Sequence, residues 1–442
     1  MSVASKNISA SFAVVGSGPS GMYAADALLK QFPNCKIDVF DKIPMPFGLI
    51  RYGVAPDHFK TKNTARQFLR TLELKQVRYL GNIQIGSDIS VGELEEYYDS
   101  VIFAIGAYND RKLGIPGEEL PGVYGACEFV GWYNAHPDFS AINPKLDGAN
   151  AVVIGIGNVA LDICRVLSKT RSEMIGSDIS SPALNIIQNM PIEEIHMFGR
   201  RGPIEAGFTP KELGEMRNLE RCSAIVAADQ LPDVVEGDFN SREKGIKVKN
   251  LSILHELASQ NNTKKEVKVH FQFYSSPVEI LGNKRVEGIR LERTKVSNGK
   301  AIPTGETFDV PCCSVITAIG YQTDPPSGLP LNGVTIDNQD GWVRDNLYVV
   351  GWAKRGSNGT IPTNGPDSRG VIDKLSHNLQ TNGINRLKLG GEAIDKILAK
   401  RNIAVVSLSD VEKIKNAEIA NAANGHPWEK FTSIKEMLAA IE

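Results

Sequence analysis

The sequence predicts an α/β fold with two parallel sheets, in which one domain is inserted into the other. Two segments, 12–29 and 151–162, share a short apolar run, a glycine-rich turn and a helical period. Two further segments, 101–107 and 315–321, resemble each other, because each is an apolar run followed by a glycine, Gly106 or Gly320. This repetition is typical of two related Rossmann-like domains, each built on a strand, a tight turn and a helix.

The first segment carries Gly16, Gly18 and Gly21 at GxGxxG spacing between a predicted buried strand and a predicted helix. Gly16 permits the turn, Gly18 lets the backbone approach a pyrophosphate, and Gly21 lets helix and strand pack closely. A second strand ends in Asp41 about 20 residues further on, where this fold binds a ribose hydroxyl. We therefore predict a dinucleotide site, with a βαβ turn that binds no ligand as the alternative.

The second segment has Gly155, Gly157 and Ala160 at the three small positions, and its next strand ends in Arg200 and Arg201. Paired guanidinium groups match a 2′-phosphate, which a carboxylate would repel. The arginines lie about 40 residues after the glycines instead of the usual 20 or so. We therefore expect residues 169–190 to form a helical excursion that accounts for the longer separation. We expect the site to bind NADP, and the alternative is that Arg200 and Arg201 are surface arginines on a loop.

The domain boundaries follow from a short predicted strand near the C-terminus, residues 346–350, which has no glycine motif of its own. We expect this strand to complete the first sheet and to lead into a helix over residues 368–381. The first dinucleotide-binding domain then comprises residues 1–108 and 331–442, and the second comprises residues 109–330. Two dinucleotides that face each other across a cleft would allow hydride transfer between them.

Composition narrows the possible classes of protein. The net charge of -2 gives no general attraction to nucleic acid or to an acidic membrane, and 42% hydrophobic residues are ordinary. Six scattered cysteines indicate a reducing compartment and exclude a CxxC dithiol and a regularly spaced four-cysteine cluster. No metal site is predicted. We expect no membrane span and no signal or transit peptide in residues 1–11. The expected location is the cytoplasm, or the mitochondrial matrix for a processed eukaryotic form.

A series of motifs occurs in order along nearly the whole chain, at residues 16–21, 46–58, 115–122, 129–134, 157–162, 199–203 and 351–356. Together these motifs resemble the adrenodoxin reductase family, the ferredoxin–NADP+ reductases of the glutathione-reductase-like type. The resemblance implies FAD in the first site and NADPH in the second. It also implies hydride transfer from NADPH to flavin N5 and single electrons passed to a ferredoxin or a flavodoxin.

The same resemblance assigns cofactor contacts. For FAD these are Gly16, Gly18, Ser20, Gly21, Asp41, Leu49, Ile85, Trp352, Gly359, Thr360 and Ile361. For NADP they are Gly155, Ile156, Gly157, Asn158, Val159, Arg200, Arg201 and Glu212, with Gly359 also near the nicotinamide.

Three residues are candidates for a direct part in the reaction, although hydride transfer itself needs no general acid or base. His58 lies in the apolar, turn-rich loop 44–58, which we expect to lie against a bound ligand, and Asp162 lies at the start of the second helix. An imidazole paired with a carboxylate could bridge the two domains. The alternative is a backbone-bonded histidine and an acid near a helix N-terminus. Glu212 could bind the nicotinamide ribose or gate closure, or be a solvated helix glutamate.

The acidic electron carrier could dock on a basic run in the second domain. Arg242, Lys244, Lys247 and Lys249 form this run, although Glu243 interrupts it and a solvated charge run is the alternative. Other classes remain open at this point. They are a pyridine nucleotide-disulfide reductase, against which the missing CxxC argues, an interaction protein with a vestigial flavin site, and an FAD- and NADPH-dependent monooxygenase or oxidase.

Overall fold

The computed structural model describes residues 10–260, 264–382 and 388–442. The expectation for a signal or transit peptide falls almost entirely on residues 1–9, which lie outside the described residues. The chain divides into two units: residues 1–109, 134–140 and 321–442 form the first, and residues 110–133 and 141–320 form the second.

The strands and helices alternate along much of the chain, as expected for an α/β protein. The strands are β1 (Ser11–Val15), β2 (Lys36–Phe40), β3 (Val77–Leu80), β4 (Ser100–Phe103), β5 (Asn109–Asp110), β6 (Val123–Gly125), β7 (Asn150–Ile154), β8 (Glu194–Phe198), β9 (Cys222–Val226), β10 (Val267–Gln272), β11 (Ser275–Gly282), β12 (Val286–Ser297), β13 (Lys300–Pro311), β14 (Ser314–Thr317), β15 (Tyr321–Gln322), β16 (Leu331–Asn332), β17 (Thr335–Ile336), β18 (Trp342–Arg344) and β19 (Leu347–Val349). The helices are α1 (Pro19–Gln31), α2 (Leu49–Tyr52), α3 (Phe59–Lys62), α4 (Ala65–Leu72), α5 (Val91–Tyr97), α6 (Ala126–Tyr133), α7 (Asn158–Ser168), α8 (Ser181–Asn189), α9 (Pro210–Glu215), α10 (Ser241–Gln260), α11 (Trp352–Arg355), α12 (Asn364–Asn382), α13 (Gly391–Arg401), α14 (Leu408–Ala420) and α15 (Ile434–Ala439).

The first unit is built on a six-stranded sheet in the order β18-β19-β4-β1-β2-β3. All neighbours are parallel except β18, which runs antiparallel to β19. Alternate residues of β1 pack on opposite faces, with Phe12 and Val14 in one core cluster and Ala13 and Val15 in the other. Because β19 pairs with β4, the prediction that the last strand completes the first sheet is confirmed.

The second unit holds a six-stranded parallel sheet in the order β6-β14-β7-β8-β10-β9. It also holds a three-stranded antiparallel sheet, β11-β12-β13. Val152 and Phe198 of the parallel sheet share a core cluster with Ile289 and Leu291 of the antiparallel one. The small antiparallel sheet therefore covers one face of the parallel sheet.

This division differs from the predicted one at residues 134–140 and 321–330, which the structure assigns to the first unit. Lys62 donates to Asn134 over 3.1 Å, and the ring of His136 lies 5.0 Å from that of Tyr52. These contacts tie residues 134–140 to side chains far away in the chain, so no local pattern marks them.

Two expected helices are present. The segment 169–190 contains a 3₁₀ turn, Ser172–Met174, and helix α8, so the helical excursion is confirmed. The helix expected over 368–381 begins earlier, at Asn364, because Pro366 lies in its first turn, where a backbone N–H has no partner within the helix. Within the described ranges, no helix has the length and apolar character needed to cross a membrane.

Candidate functional site

Each large sheet carries a glycine turn at the carboxyl end of a central strand, β1 in the first unit and β7 in the second. Gly16 has φ +107°, and a Cβ there would lie 2.5 Å from the carbonyl oxygen of Ala104. Gly155 has φ +140°, and its Cβ would lie 2.3 Å from the carbonyl oxygen of Ala318. The two alanines follow β4 and β14, the strands beside β1 and β7. The repeated sequences 101–107 and 315–321 therefore close the two glycine turns in the same way.

The second glycine of each motif faces open space. A Cβ on Gly18 or on Gly157 would meet no atom within 4 Å. These glycines are the N-caps of α1 and α7, and within the described part of the chain no side chain caps either helix. Backbone N–H groups at a helix N-terminus favour anions. Both turns therefore fit a pyrophosphate that approaches the backbone closely.

Asp41 lies at the end of β2 and faces the first glycine turn. Its carboxylate accepts hydrogen bonds from the backbone N–H of Ser17 (3.0 Å), the Ser17 hydroxyl and the backbone N–H of Ile43 (3.1 Å). Burial raises the pKa of Asp41, and the hydrogen bonds from Ser17 and Ile43 oppose that shift. In the structure Asp41 supports the turn, and its contact with a ribose stays a prediction.

The apolar loop after β2 lies against the same turn. Phe47 donates its backbone N–H to the Ser17 hydroxyl (3.1 Å), and a Cβ on Gly48 would lie 3.3 Å from the Cα of Gly18. Phe47 has φ +85°, an uncommon value for a bulky residue and a sign of local strain. Leu49 begins α2 directly after this bend. The prediction that this loop lies at a ligand site agrees with its position beside Gly18.

Helix α12 brings several predicted FAD contacts together through Asn364, a residue that the sequence analysis did not select. Asn364 Oδ1 accepts a hydrogen bond from the Ser20 hydroxyl (3.0 Å), and its amide donates to the carbonyls of Ile361 (3.1 Å) and Thr360 (3.4 Å). Arg355 also donates to Asn364 Oδ1, over 2.6 Å. Asn364 thereby links the first helix to the segment that precedes α12.

Asp367 was missed in the same way. It accepts the backbone N–H of Gly351 (2.7 Å) and forms an ion pair with Lys354 (2.7 Å). Gly351 has φ +71°, and a Cβ there would lie 1.9 Å from the Ser20 hydroxyl oxygen. Trp352 follows directly and donates its indole N–H to the carbonyl of Asn358 (3.0 Å). The only local signal for Asp367 is an acid in the first turn of a helix, which is too common to mark a site.

Other predicted residues of the first unit lie apart from these contacts or remain without a tested role. Ile85 is 8% exposed and belongs to a core cluster. Gly359 has φ +84° and is exposed. His58 precedes α3, and its carbonyl accepts the backbone N–H of Thr61 (3.0 Å). The cofactor contacts of Ile85 and Gly359 and the part of His58 in the reaction stay predictions.

In the second unit, residues 207–209 pack onto the glycine turn. Gly207 donates its backbone N–H to the carbonyl of Ile156 (2.8 Å), and Thr209 donates its backbone N–H to Asn158 Oδ1 (2.8 Å). The Thr209 hydroxyl donates to Glu212 at the start of α9. Glu212 is therefore linked to the predicted pyrophosphate turn through Thr209 and Asn158.

Asp162 points to a buried arginine in the same helix. Its carboxylate accepts a hydrogen bond from Arg165 (2.9 Å), which is 0% exposed. Glu215 of α9 lies 3.3 Å from the same guanidinium. The sequence indicates Asp162 as a candidate but neither Arg165 nor Glu215, because a helical arginine or glutamate ordinarily lies on a solvated face.

Arg200 and Arg201 follow Gly199 at the carboxyl end of β8, as the sequence predicts. Arg201 donates to the carbonyl of Gly299 over 3.3 Å. The basic run lies on α10, where Arg242, Lys244 and Lys249 are exposed. Lys247 is partly buried, donates to the carbonyl of Ile204 and lies 4.7 Å from the ring centre of Phe239.

The cysteines have the character of core residues. All six are buried free thiols, and burial raises the pKa of Cys35 and of Cys312 to about 12. A thiol with a raised pKa is a poor nucleophile at neutral pH. Among the residues that the structure describes, no group of three or more histidine, cysteine or acidic side chains is arranged to hold a metal ion.

Comparison with known proteins gives consistent relatives. Residues 10–197 match the family model described as pyridine nucleotide-disulphide oxidoreductase. The chain is 39% identical to the NADPH-ferredoxin reductase FprA of Mycobacterium tuberculosis over 96% of this chain and 98% of that protein. It is 37% identical to the human mitochondrial NADPH:adrenodoxin oxidoreductase over 97% of this chain and 91% of that protein. Among solved structures, FprA in complex with NADPH is similar with a TM-score of 0.93 and 37% identity, covering 98% of this chain and 100% of the other.

Proposed function

Because the chain belongs to the family of NADPH-ferredoxin and NADPH:adrenodoxin reductases, we propose that it is an FAD-dependent NADPH:ferredoxin oxidoreductase. The observation that carries the proposal is the pair of glycine turns on two separate sheets. Both turns leave space beside the second glycine, and the strand next to the second turn leads into two arginines. This combination suits two dinucleotides, of which the second bears a 2′-phosphate.

The cofactors are FAD in the first unit and NADPH in the second. When bound, FAD links a two-electron donor to a one-electron carrier. The N-terminus of α1, beside Gly18, holds the FAD pyrophosphate, and Asn364 fixes Ser20 and the segment 359–361 beside it. The N-terminus of α7, beside Gly157, holds the NADPH pyrophosphate.

The finer contacts are part of the proposal. In the first unit we assign Asp41, Leu49, Ile85, Trp352, Gly359, Thr360 and Ile361 to FAD. In the second, Asn158 and Val159 lie at the pyrophosphate, Glu212 binds the nicotinamide ribose, and Arg200 and Arg201 bind the 2′-phosphate. Support for the last assignment comes from their place at the end of β8, the strand beside β7.

The first experiment tests the cofactors. Purified protein is expected to show a bound flavin spectrum and to reduce a ferredoxin faster with NADPH than with NADH. Replacing both Arg200 and Arg201 by alanine should lower kcat/KM for NADPH by at least about 100-fold and leave kcat/KM for NADH unchanged, since charged hydrogen bonds are worth about 1.5–3 kcal/mol each. A colourless protein, or an unchanged preference in the double variant, would contradict the proposal. NADPH oxidation tightly coupled to an organic substrate and oxygen would instead indicate a monooxygenase.

The carrier is a ferredoxin or a flavodoxin that docks on the exposed face of α10. The positive charge there comes from Arg242, Lys244 and Lys249. Two apolar side chains that lie between these residues in the sequence, Ile246 and Val248, are 39% and 49% exposed. Exposed apolar side chains within a charged rim are typical of a protein interface. Lys247 contributes less because it is bonded to the carbonyl of Ile204.

Steady-state kinetics with a ferredoxin tests this surface. Replacing Arg242 and Lys249 by glutamine should raise KM for the ferredoxin several-fold, with the largest effect at low salt. Lys400→Gln, an exposed cation on α13, is the matched control and should leave KM unchanged. The same KM in the double variant and the control would contradict docking on α10.

We propose that His58, in the loop 44–58, and Asp162, in α7, take part in the reaction through their imidazole and carboxylate groups. His58→Gln and Asp162→Asn should lower kcat for NADPH oxidation and leave flavin content unchanged. Full kcat in both variants would restrict these residues to structure. The proposed location is a reducing compartment, the cytoplasm or the mitochondrial matrix, in which six free cysteines persist.

A further inference from the structure

Arg200 and Arg201, at the end of β8, lie on a turn formed by residues 199–202. Residues outside the nucleotide-binding strand–turn–helix form hydrogen bonds with this turn. The Thr294 hydroxyl donates to the carbonyl of Arg200 over 2.7 Å. The backbone N–H of Tyr274 donates to the carbonyl of Arg201 over 3.1 Å, and Arg201 itself donates to the carbonyl of Gly299 over 3.3 Å. Thr294 belongs to β12, Tyr274 directly precedes β11, and Gly299 lies in the loop between β12 and β13, so none of the three belongs to the nucleotide-binding strand–turn–helix.

Tyr274 sits at the junction between β10 and β11 in an unusual conformation. Its φ is +55°, which is rare for an aromatic residue, and its carbonyl accepts the backbone N–H of Thr294 over 2.9 Å. A Cβ on Gly202 would lie 2.4 Å from the Tyr274 hydroxyl oxygen. Strain of this kind persists only where the surroundings fix it, and it concentrates at functional sites. The arginine turn is therefore bound to a backbone that has one well-defined shape.

The hairpin between β12 and β13 fixes the third partner. Ser297 pairs with Lys300, and the two residues between them, Asn298 and Gly299, have φ +50° and +70°. This is the two-residue hairpin loop with positive φ at both positions, which sets strand register tightly. The carbonyl of Gly299 is therefore held in a defined place, where it meets the Arg201 side chain.

We propose that Thr294 is a positioning residue for nucleotide specificity, which holds the Arg200–Arg201 turn so that the enzyme prefers NADPH over NADH. The inference deepens the proposed function and rests on it. Thr294 is 7% exposed, so its hydroxyl is held in place, and the loss of that hydroxyl removes one of the hydrogen bonds that fix the arginine turn, on which Arg200 is exposed. NADH has no 2′-phosphate and does not use the arginines, so its binding should not depend on Thr294.

Steady-state kinetics of the flavin-loaded enzyme with ferricyanide as acceptor tests the proposal without a carrier protein. Thr294→Val should raise KM for NADPH about 5- to 20-fold, as expected for the loss of one hydrogen bond that fixes the arginine turn. Its kcat and its KM for NADH should stay within about twofold. Thr294→Ser keeps the hydroxyl and should restore the NADPH preference.

The matched control is Thr304→Val. The exposed Thr304 hydroxyl donates over 2.9 Å to the carbonyl of Arg293 in the same antiparallel sheet, and Arg293 is not part of the arginine turn. This variant should behave as wild type with both nucleotides. A Thr294→Val enzyme with unchanged KM for NADPH, or with KM raised equally for NADPH and NADH, would overturn the proposal.

The Arg200→Ala/Arg201→Ala variant separates this inference from the proposed function. If the double variant keeps the NADPH preference, the phosphate assignment itself fails. If the double variant loses the preference but Thr294→Val keeps it, only the positioning role fails. Thr294→Ala, which also lacks the hydroxyl, serves where Thr294→Val does not fold: it should raise KM for NADPH by a similar factor and leave KM for NADH unchanged, and a KM for NADPH equal to that of wild type would overturn the proposal.

Discussion

The two glycine turns of this protein share their first steps and differ in what surrounds them. In both, a neighbouring strand places a carbonyl where a Cβ would otherwise lie, 2.5 Å away at Gly16 and 2.3 Å at Gly155. In the first turn, the acid at the next strand end, Asp41, bonds back to Ser17 of the same motif. In the second, the arginines at the next strand end are held by the antiparallel sheet. The first site is thus supported within its own motif, whereas the second depends on an added sheet.

The two turns also differ at the third small residue of the glycine motif, which is Gly21 in the first turn and Ala160 in the second. A Cβ on Gly21 would lie 1.9 Å from the carbonyl oxygen of Gly16, whereas Ala160 at the same place in the second turn already carries a Cβ and is 0% exposed. The first helix therefore lies closer to its strand turn than the second does. Substitutions at the two positions should have very different effects.

The largest expected effect is that of Gly21→Ala. The added methyl group meets backbone that cannot move without disturbing the FAD turn, so we expect a loss of about 3 kcal/mol of stability and of bound flavin. Ala160→Gly, the reverse change in the second unit, should cost only about 1 kcal/mol. Flavin absorbance after gel filtration and urea unfolding measure both quantities, and equal losses in the two variants would refute the difference in packing.

The next effect concerns the anchor between α1 and α12. Asn364→Ala removes the acceptor of Ser20 and Arg355, so the variant should retain FAD about 10-fold less tightly, since a buried partner lost costs about 1–3 kcal/mol. Asp373→Ala is the matched control, because Asp373 joins the same two helices through an exposed bond to Gln31. Dissociation of FAD in titrations monitored by flavin fluorescence should be unchanged in the control. Equally weakened FAD binding in both variants would contradict a specific role of the Asn364–Ser20 hydrogen bond in FAD retention.

A smaller effect is the pH dependence of stability that arises from Asp110 in the second unit. Burial raises the pKa of Asp110 in the second unit to about 6, although the backbone N–H groups of Cys127 and Glu128 oppose the shift. The folded state then binds more protons than the unfolded state between about pH 4 and 6, so this group lowers stability as pH rises. Wild type should therefore lose stability relative to Asp110→Asn as the pH rises across that range. Denaturant midpoints at several pH values would detect it, and a constant difference would contradict it.

The smallest effect has the opposite sign and belongs to the first unit. A hydrogen bond from Arg401 lowers the pKa of Glu93 to about 2. The stability from this contact is present above the ordinary glutamate pKa and is lost as pH falls toward 2. The stability advantage of wild type over Glu93→Gln should therefore shrink from pH 5 to pH 3 and stay constant above pH 6. An advantage that grows on acidification would reverse the assignment.

The sequence predicted the elements that carry the cofactors better than it predicted their supports. The glycine turns, the strand ending in two arginines and the strand that completes the first sheet were all predicted and lie where expected. Asn364 and Asp367 were not, because an amide and an acid at a helix start ordinarily cap that helix. Residues 134–140 were assigned to the other domain, since their contacts with Lys62 and Tyr52 leave no trace in local composition.

The sequence by itself determined the two strand–turn–helix motifs and the charge at each strand end, because glycine spacing, apolar period and residue charge act over a few neighbouring residues. Only the tertiary structure decided which side chains hold those motifs. Asn364 meets Ser20 across 344 positions of the chain, and Thr294 meets Arg200 across 94. Such hydrogen bonds depend on how distant segments pack in space, and no local preference of either residue specifies its partner.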